Sequence, residues 1–221
     1  MAFGQMASRT FAVNSPANAT VDERMAFLKK VYGLLSLSLL SAVIGAYFGK
    51  ALPPGLMMPL FIVEIVLVIF AMAVRRKPVW NVVALFSFTT LSGVTLGPVM
   101  VIYNAGVIQE ALVLTLLIFG GLTFYVMTTK KDFSYLSGFL IVGLITVIIG
   151  GLLNAFLFQS PMLEFAMAGG GVILFSGFIL YDTSNILRNY DVQDYTSATL
   201  ALYLDVLNLF LMLLRLLGGR D

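Results

Sequence analysis

Three carboxylates stand where water has poor access. Glu64, Asp182 and Asp205 each fall inside a long apolar run, whereas the other acids of the chain lie in tails, in loops or, like Glu110 and Glu164, at helix starts. An ionisable group at the centre of a membrane helix costs about 2.5 to 3.5 kcal/mol on insertion scales, so each needs a proton, a partner or a water-filled cavity. The 221 residues contain no histidine and no cysteine. That removes the imidazole base, the thiol nucleophile, the disulfide and the usual zinc and haem ligand sets. No cofactor is expected, and any proton-dependent chemistry has to run on carboxylates.

The spacing of the two aspartates suggests a shared site. Their midpoint falls within the polar stretch from Asn189 to Tyr195, which reads as the turn of a helical hairpin. Residues equidistant from such a turn lie at similar depth, so Asp182 and Asp205 can face each other. Asn185 and Asn208 each follow three residues later on the same helix faces. Two touching carboxyls in a low dielectric cannot cheaply both ionise, so the pair would hold one proton in common and titrate as a unit. The alternative is an acid that is protonated or paired and merely glues helices together. Glu64 and Arg75, eleven residues apart, return to within about 20° of one helix face at about 16 Å separation. By spacing alone Arg75 is either a countercharge for the carboxylates or an ordinary flanking cation like Arg76.

The elements that position these groups are membrane helices. The chain is 60% hydrophobic and 11% charged, against about 25% charged in soluble domains, so it cannot build a polar shell. Seven apolar runs, at about 28–49, 56–74, 80–103, 108–128, 133–157, 162–187 and 196–217, are long enough to span a bilayer. Turn chemistry separates them, as at Pro53-Pro54-Gly55, Arg75-Arg76-Lys77-Pro78 and Lys130-Lys131-Asp132. The expected class is an all-α integral membrane protein: a flexible cytoplasmic tail over 1–25, then one seven-helix transmembrane domain over 26–221. The tail lacks the positive start and immediate apolar run of a signal peptide. Ser41, Gly45 and Gly49 share a face, as do Gly169 and Gly177, and read as helix-packing stripes. Ten of the thirteen Lys and Arg residues fall on the amino-terminal side of the spans; Lys50, Arg215 and Arg220 are the exceptions. The positive-inside rule then puts the amino terminus in the cytoplasm and the carboxyl terminus outside.

The runs from Phe175 to Thr183, Ala201 to Phe210 and Leu213 to Gly218 resemble the Bax inhibitor-1 family, also called the transmembrane Bax inhibitor motif proteins. The likeness extends over the chain after about residue 25. The stretch from Pro59 through Glu64 to Arg75-Arg76 is similar to the bacterial calcium-leak members. The resemblance implies two three-helix layers around a central carboxy-terminal helix and a pH-sensitive passive calcium leak in a bacterial inner (plasma) membrane. It implies that Asp182 and Asp205 form a hydrogen-bonded pH sensor, that Arg75 latches it, and that Glu64, Asp205 and Asn208 lie on the ion path. Weak calcium contacts would then fall at Glu64, Asp182 and Asp205. The sequence departs from the family's common Arg-Asn-Thr-Tyr with Lys29-Lys30-Val31-Tyr32, and from the lysine-rich tails of some eukaryotic members with Gly218-Gly219-Arg220-Asp221.

Other functions fit less of the sequence. An intramembrane aspartyl protease would match at Tyr181-Asp182, but its Gly-x-Gly-Asp motif is replaced by Leu202-Tyr203-Leu204-Asp205 and no Pro-Ala-Leu follows. The chain is therefore not expected to be an enzyme, and nothing points to nucleic acid. The expected partners are calcium ions, protons and the lipid bilayer. The remaining alternative is a non-conducting regulator acting through membrane-protein partners such as a quality-control protease.

Overall fold

The structure, a computed structural model, describes residues 15–219. The segment read as tail up to residue 14, together with Arg9, Arg220 and Asp221, lies outside the described residues. Seven α-helices follow one another: α1 (Val21–Gly49), α2 (Met57–Ala73), α3 (Trp80–Ile102), α4 (Ala105–Thr128), α5 (Ser137–Leu153), α6 (Pro161–Arg188) and α7 (Tyr195–Gly218). No strand interrupts them among the described residues. The expected runs reappear within a few residues, except that α1 starts at Val21 instead of near 28. The cause is local. The Thr20 hydroxyl accepts from the Glu23 amide while the Glu23 carboxylate accepts from the Thr20 amide at 2.9 Å, which closes a capping box around the first turn. Residues 21–25 therefore belong to the helix and not to the polar lead.

The seven helices sort into two layers and a centre. α3 packs against α1 and α2, α6 packs against α4 and α5, and α7 touches α1, α3, α4 and α6 between them. This is the arrangement expected of two three-helix layers around a carboxy-terminal helix. Leu202, Tyr203, Leu209 and Leu214 of α7 are each sealed from solvent. α5 is the opposite case, with Leu140 its only buried side chain and Ile141, Val142, Ile145, Ile148 and Ile149 all exposed. An apolar surface of that kind suits lipid, which solvates it without cost. Among the described residues six helical stretches are long and apolar enough to cross a membrane, α5 counting together with its flanking turns over Ser134–Phe158. α2, at 17 residues, is shorter, near the lower limit of about 17 for a span, and is led in by the single turn Pro54–Leu56. The protein is a multi-pass membrane protein.

α1 and α3 approach each other backbone to backbone. A Cβ added at Gly93 would overlap the backbone of Ala42, one at Gly97 the backbone of Gly49, and one at Gly45 the carbonyl of Thr90. Two small-residue stripes thus interlock, Gly45/Gly49 on α1 and Gly93/Gly97 on α3, bringing the two backbones into contact. The sequence reading had only the first of these stripes. Of the other expected pair, Gly177 packs against Leu140 of α5, whereas the nearest atom to a Cβ at Gly169 is Leu216 Cδ1 at 3.9 Å.

Candidate functional site

α6 and α7 form the expected hairpin, joined by the turn from Asn189 to Asp194. Ser160 caps α6 by accepting from the Leu163 amide, and Ser184 farther along it accepts from the Phe133 amide at 3.2 Å, pinning the helix to the α4–α5 connection. These anchors fix the rotation of α6, and Asp182 meets Asp205 of α7 carboxyl to carboxyl. Asp205 is only 5% exposed, and its Oδ2 has no hydrogen-bond partner. Two acids in direct contact away from water fit a shared proton better than two full charges. Tyr190, in the turn beyond α6, senses the same charges: burial first, then the negative potential of Asp182 and Asp205, holds its phenol above the ordinary value.

The asparagines are turned onto their own helices. Asn208 donates to the Leu204 carbonyl at 2.8 Å, and Asn185 accepts from the Asn189 side chain at 2.7 Å. Asn208 also lines a crevice of about 730 Å³, with Asn154, Glu164, Arg215 and Phe61 around it. That crevice opens at the end of the bundle opposite the hairpin turn and reaches one turn of α7 from Asp205.

Arg75 is not brought to the aspartates. Its side chain is exposed and forms no ion pair among the described residues, while its carbonyl accepts from the Asn81 side chain at 3.2 Å. Its neighbour Arg76 reaches the hairpin turn instead, with Nε 3.4 Å from Asp194 Oδ1 and a second nitrogen 3.9 Å from Asp191 Oδ2. α2 ends at Ala73, so helical periodicity no longer governs which way residue 75 points. Asp194, expected in open water, is 8% exposed because the turn folds it inward beneath Arg76.

Glu64 lies elsewhere. It is half-buried on α2 and accepts a hydrogen bond from the Thr95 hydroxyl of α3. Thr95 opens a run of hydroxyls that the sequence reading overlooked. Ser92 lies 2.5 Å from the Tyr203 hydroxyl of α7, Tyr203 donates to the Thr89 carbonyl at 3.3 Å, and the Thr89 hydroxyl lies 2.8 Å from Ser41 of α1. The threefold spacing of Thr89, Ser92 and Thr95 in an apolar run was the available signal, since it places all three on one helix face. The three intramembrane acids thus divide into an aspartate pair and a separate glutamate. Among the described residues no three acids converge in the manner of a metal site.

The chain has clear relatives. A family model described as "Inhibitor of apoptosis-promoting Bax1" matches residues 24–221. The protein is 38% identical to Bax inhibitor 1 of Schizosaccharomyces pombe over 88% of this chain and 77% of that protein. It is 36% identical to protein lifeguard 4 of Mus musculus, with 91% and 88% covered. It is 40% identical to an uncharacterized membrane protein of Vibrio cholerae, with 86% and 88% covered.

Proposed function

Because the chain belongs to the Bax inhibitor-1 family, we propose that it is a passive, pH-sensitive calcium leak whose gate is the Asp182–Asp205 pair. The observation that carries this reading is the direct meeting of two carboxyls across the α6–α7 seam, with Asp205 Oδ2 left without a partner. A shared proton holds the two helices together. Its loss places two like charges side by side in a low dielectric, and the repulsion favours separation of the seam. In this reading the crevice beside Asn208, which ends about one turn of α7 short of the buried Asp205, is the ion's approach from the opposite end. Glu64, on α2 one turn from the crevice residue Phe61, supplies a second acid on the route. Calcium takes six to eight oxygens, so carboxylates, asparagines, backbone carbonyls and water would share the coordination and hold the ion weakly. Weak binding suits conduction, since the ion must also leave.

The charge asymmetry supports a cytoplasmic hairpin turn, with the chain's amino terminus on the same side and its carboxyl terminus outside; a bacterial inner membrane follows only from the likeness to the bacterial calcium-leak members. A reporter active only in the cytoplasm should stay silent when fused after Asp221. The decisive experiment on function is calcium flux into liposomes holding the purified protein, followed across pH. Flux above that of empty liposomes and changing with pH supports the leak. Flux equal to that of empty liposomes at every pH favours the non-conducting regulator.

A further inference from the structure

At the basic end of the bundle, away from the aspartate pair, the start of α1, the α2–α3 connection and the α6–α7 turn enclose a pocket of about 350 Å³. Lys30, Arg75 and Arg76 line it, and Glu23 is its one acid. Glu23 is turned to the cap of α1, where one oxygen accepts from both the amide and the hydroxyl of Thr20 at 2.9 Å, and it keeps its negative charge. Arg76 is shared with Asp191 and Asp194, and Lys30 stands over the Tyr195 ring at 5.4 Å. Arg75 has no counter-ion among the described residues. Among the residues that line the pocket three cations thus face one carboxylate, and Lys30 and Arg75, on different elements, form no ion pair among the described residues.

The wall of the pocket is strained. Pro78, which lines it, is followed by Val79 at φ 72° and ψ −57°, and the Trp80 amide bonds back to the Pro78 carbonyl at 2.9 Å. That is a γ-turn centred on a β-branched residue, a conformation rarely adopted and concentrated at ligand clamps and switches. It turns Val79 and Trp80 outward, at 72% and 58% exposed. A cationic pocket flanked by apolar side chains and a tryptophan has the makings of a headgroup site at the membrane surface.

We propose that this pocket binds the phosphate group of an anionic lipid, with Lys30 and Arg75 as its principal contacts and Arg76 shared between the lipid and the hairpin turn. Trp80 is the only tryptophan in the chain and adjoins the pocket wall, so it reports binding directly. The full-length protein is reconstituted in phosphatidylcholine vesicles containing either brominated phosphatidylglycerol or brominated phosphatidylcholine, and quenching of Trp80 gives relative binding constants. The anionic lipid is expected to bind preferentially. A cation near a membrane surface is worth about fivefold in binding, so Lys30→Gln and Arg75→Gln should each lower the preference by about that factor and the double variant by about 25-fold. Lys130→Gln/Lys131→Gln, which removes two cations from the same end but outside the pocket, should keep it. Equal quenching by the two lipids overturns the proposal, and so does an unchanged preference in the double variant. Equal losses in the Lys130/Lys131 control would reduce the effect to general surface charge and overturn the site. Displacement by millimolar inorganic phosphate would make it a site for free phosphate, against the lipid assignment.

Discussion

The α1–α3 and α6–α7 contacts are both made by helices close in the bundle, yet they are built from opposite materials. Between α1 and α3, glycines let backbone meet backbone, and the hydroxyls of Ser41 and Thr89 bond to each other across the gap. Between α6 and α7, two carboxyls meet and one oxygen is left without a partner. A seam closed by glycines has one good arrangement, because sliding or spreading loses close packing at once. A seam closed by acids has an energy that depends on protons. The difference assigns the two halves separate duties, α1–α3 as the frame and α6–α7 as the part that can respond.

The comparison breaks if the frame can be loosened without consequence. Gly93→Leu inserts a side chain where even a Cβ would strike the Ala42 backbone, so it should cost about 3 kcal/mol or more and yield little monodisperse protein on size-exclusion chromatography in detergent. Gly120→Ala is the control: nothing lies within 4 Å of the added Cβ, so the protein should be as stable as before or slightly more so, since alanine is the better helix former. Equal behaviour of the two variants would remove the special status of the α1–α3 seam.

The responsive half is tested by Asp205→Asn and Asp182→Asn. Each keeps a hydrogen-bonding side chain and removes the shared titration, so liposome calcium flux should lose most of its pH dependence, whether fixed high or low. The chain has no histidine to take over. A wild-type pH profile in either variant would end the paired-sensor reading. Glu64→Gln should lower flux while leaving its pH dependence in place, because Glu64 bonds to Thr95 and stands apart from the pair. If Glu64→Gln flattens the pH profile as well, the two sites are one and the division between frame and gate is misplaced.

Much of this contrast was legible in the sequence, and the part that was not has a physical reason. Helix positions follow from apolar length, and the facing of Asp182 and Asp205 follows from equal distance to a turn, both of which are local counts. Asp205 and Asp182 meet as the hairpin geometry requires. The fate of Arg75 did not follow, because it sits past the end of α2 where the eleven-residue helical count no longer applies; the loop turns Arg76 to the acids of the hairpin instead. The hydroxyl chain from Glu64 to Tyr203 depends on which face of α3 meets which neighbour. Its three-residue spacing was visible, but the partners on α1, α2 and α7 are set by the fold. Gly93 and Gly97 show the same limit: a small-residue stripe can be read on one helix, and its counterpart becomes meaningful only when the two helices are known to cross.

A smaller effect sharpens the comparison where the responsive half meets the frame. Tyr203 is fully buried and its hydroxyl connects α7 to Ser92 and Thr89 of α3. Tyr203→Phe keeps the ring and its edge-on contact with Phe88 but removes the hydroxyl, and hydrogen bonds between membrane helices average about 0.6 kcal/mol, with the strongest near 1.7. Thermal unfolding in detergent should register a loss within that range.

The smallest effect is expected at the rim of the responsive half. Arg76 is 63% exposed on its side chain and holds Asp194 and Asp191 at 3.4 and 3.9 Å. Exposed ion pairs are screened by water and salt, so the pairing contributes less than about 1 kcal/mol despite the burial of Asp194. Arg76→Gln should therefore lower thermal stability slightly at low ionic strength and lose most of that difference in high salt. A large loss that persists in salt would mean that the hairpin turn is clamped by this pair as firmly as α1 is held to α3, and the seam between α6 and α7 would then belong with the frame.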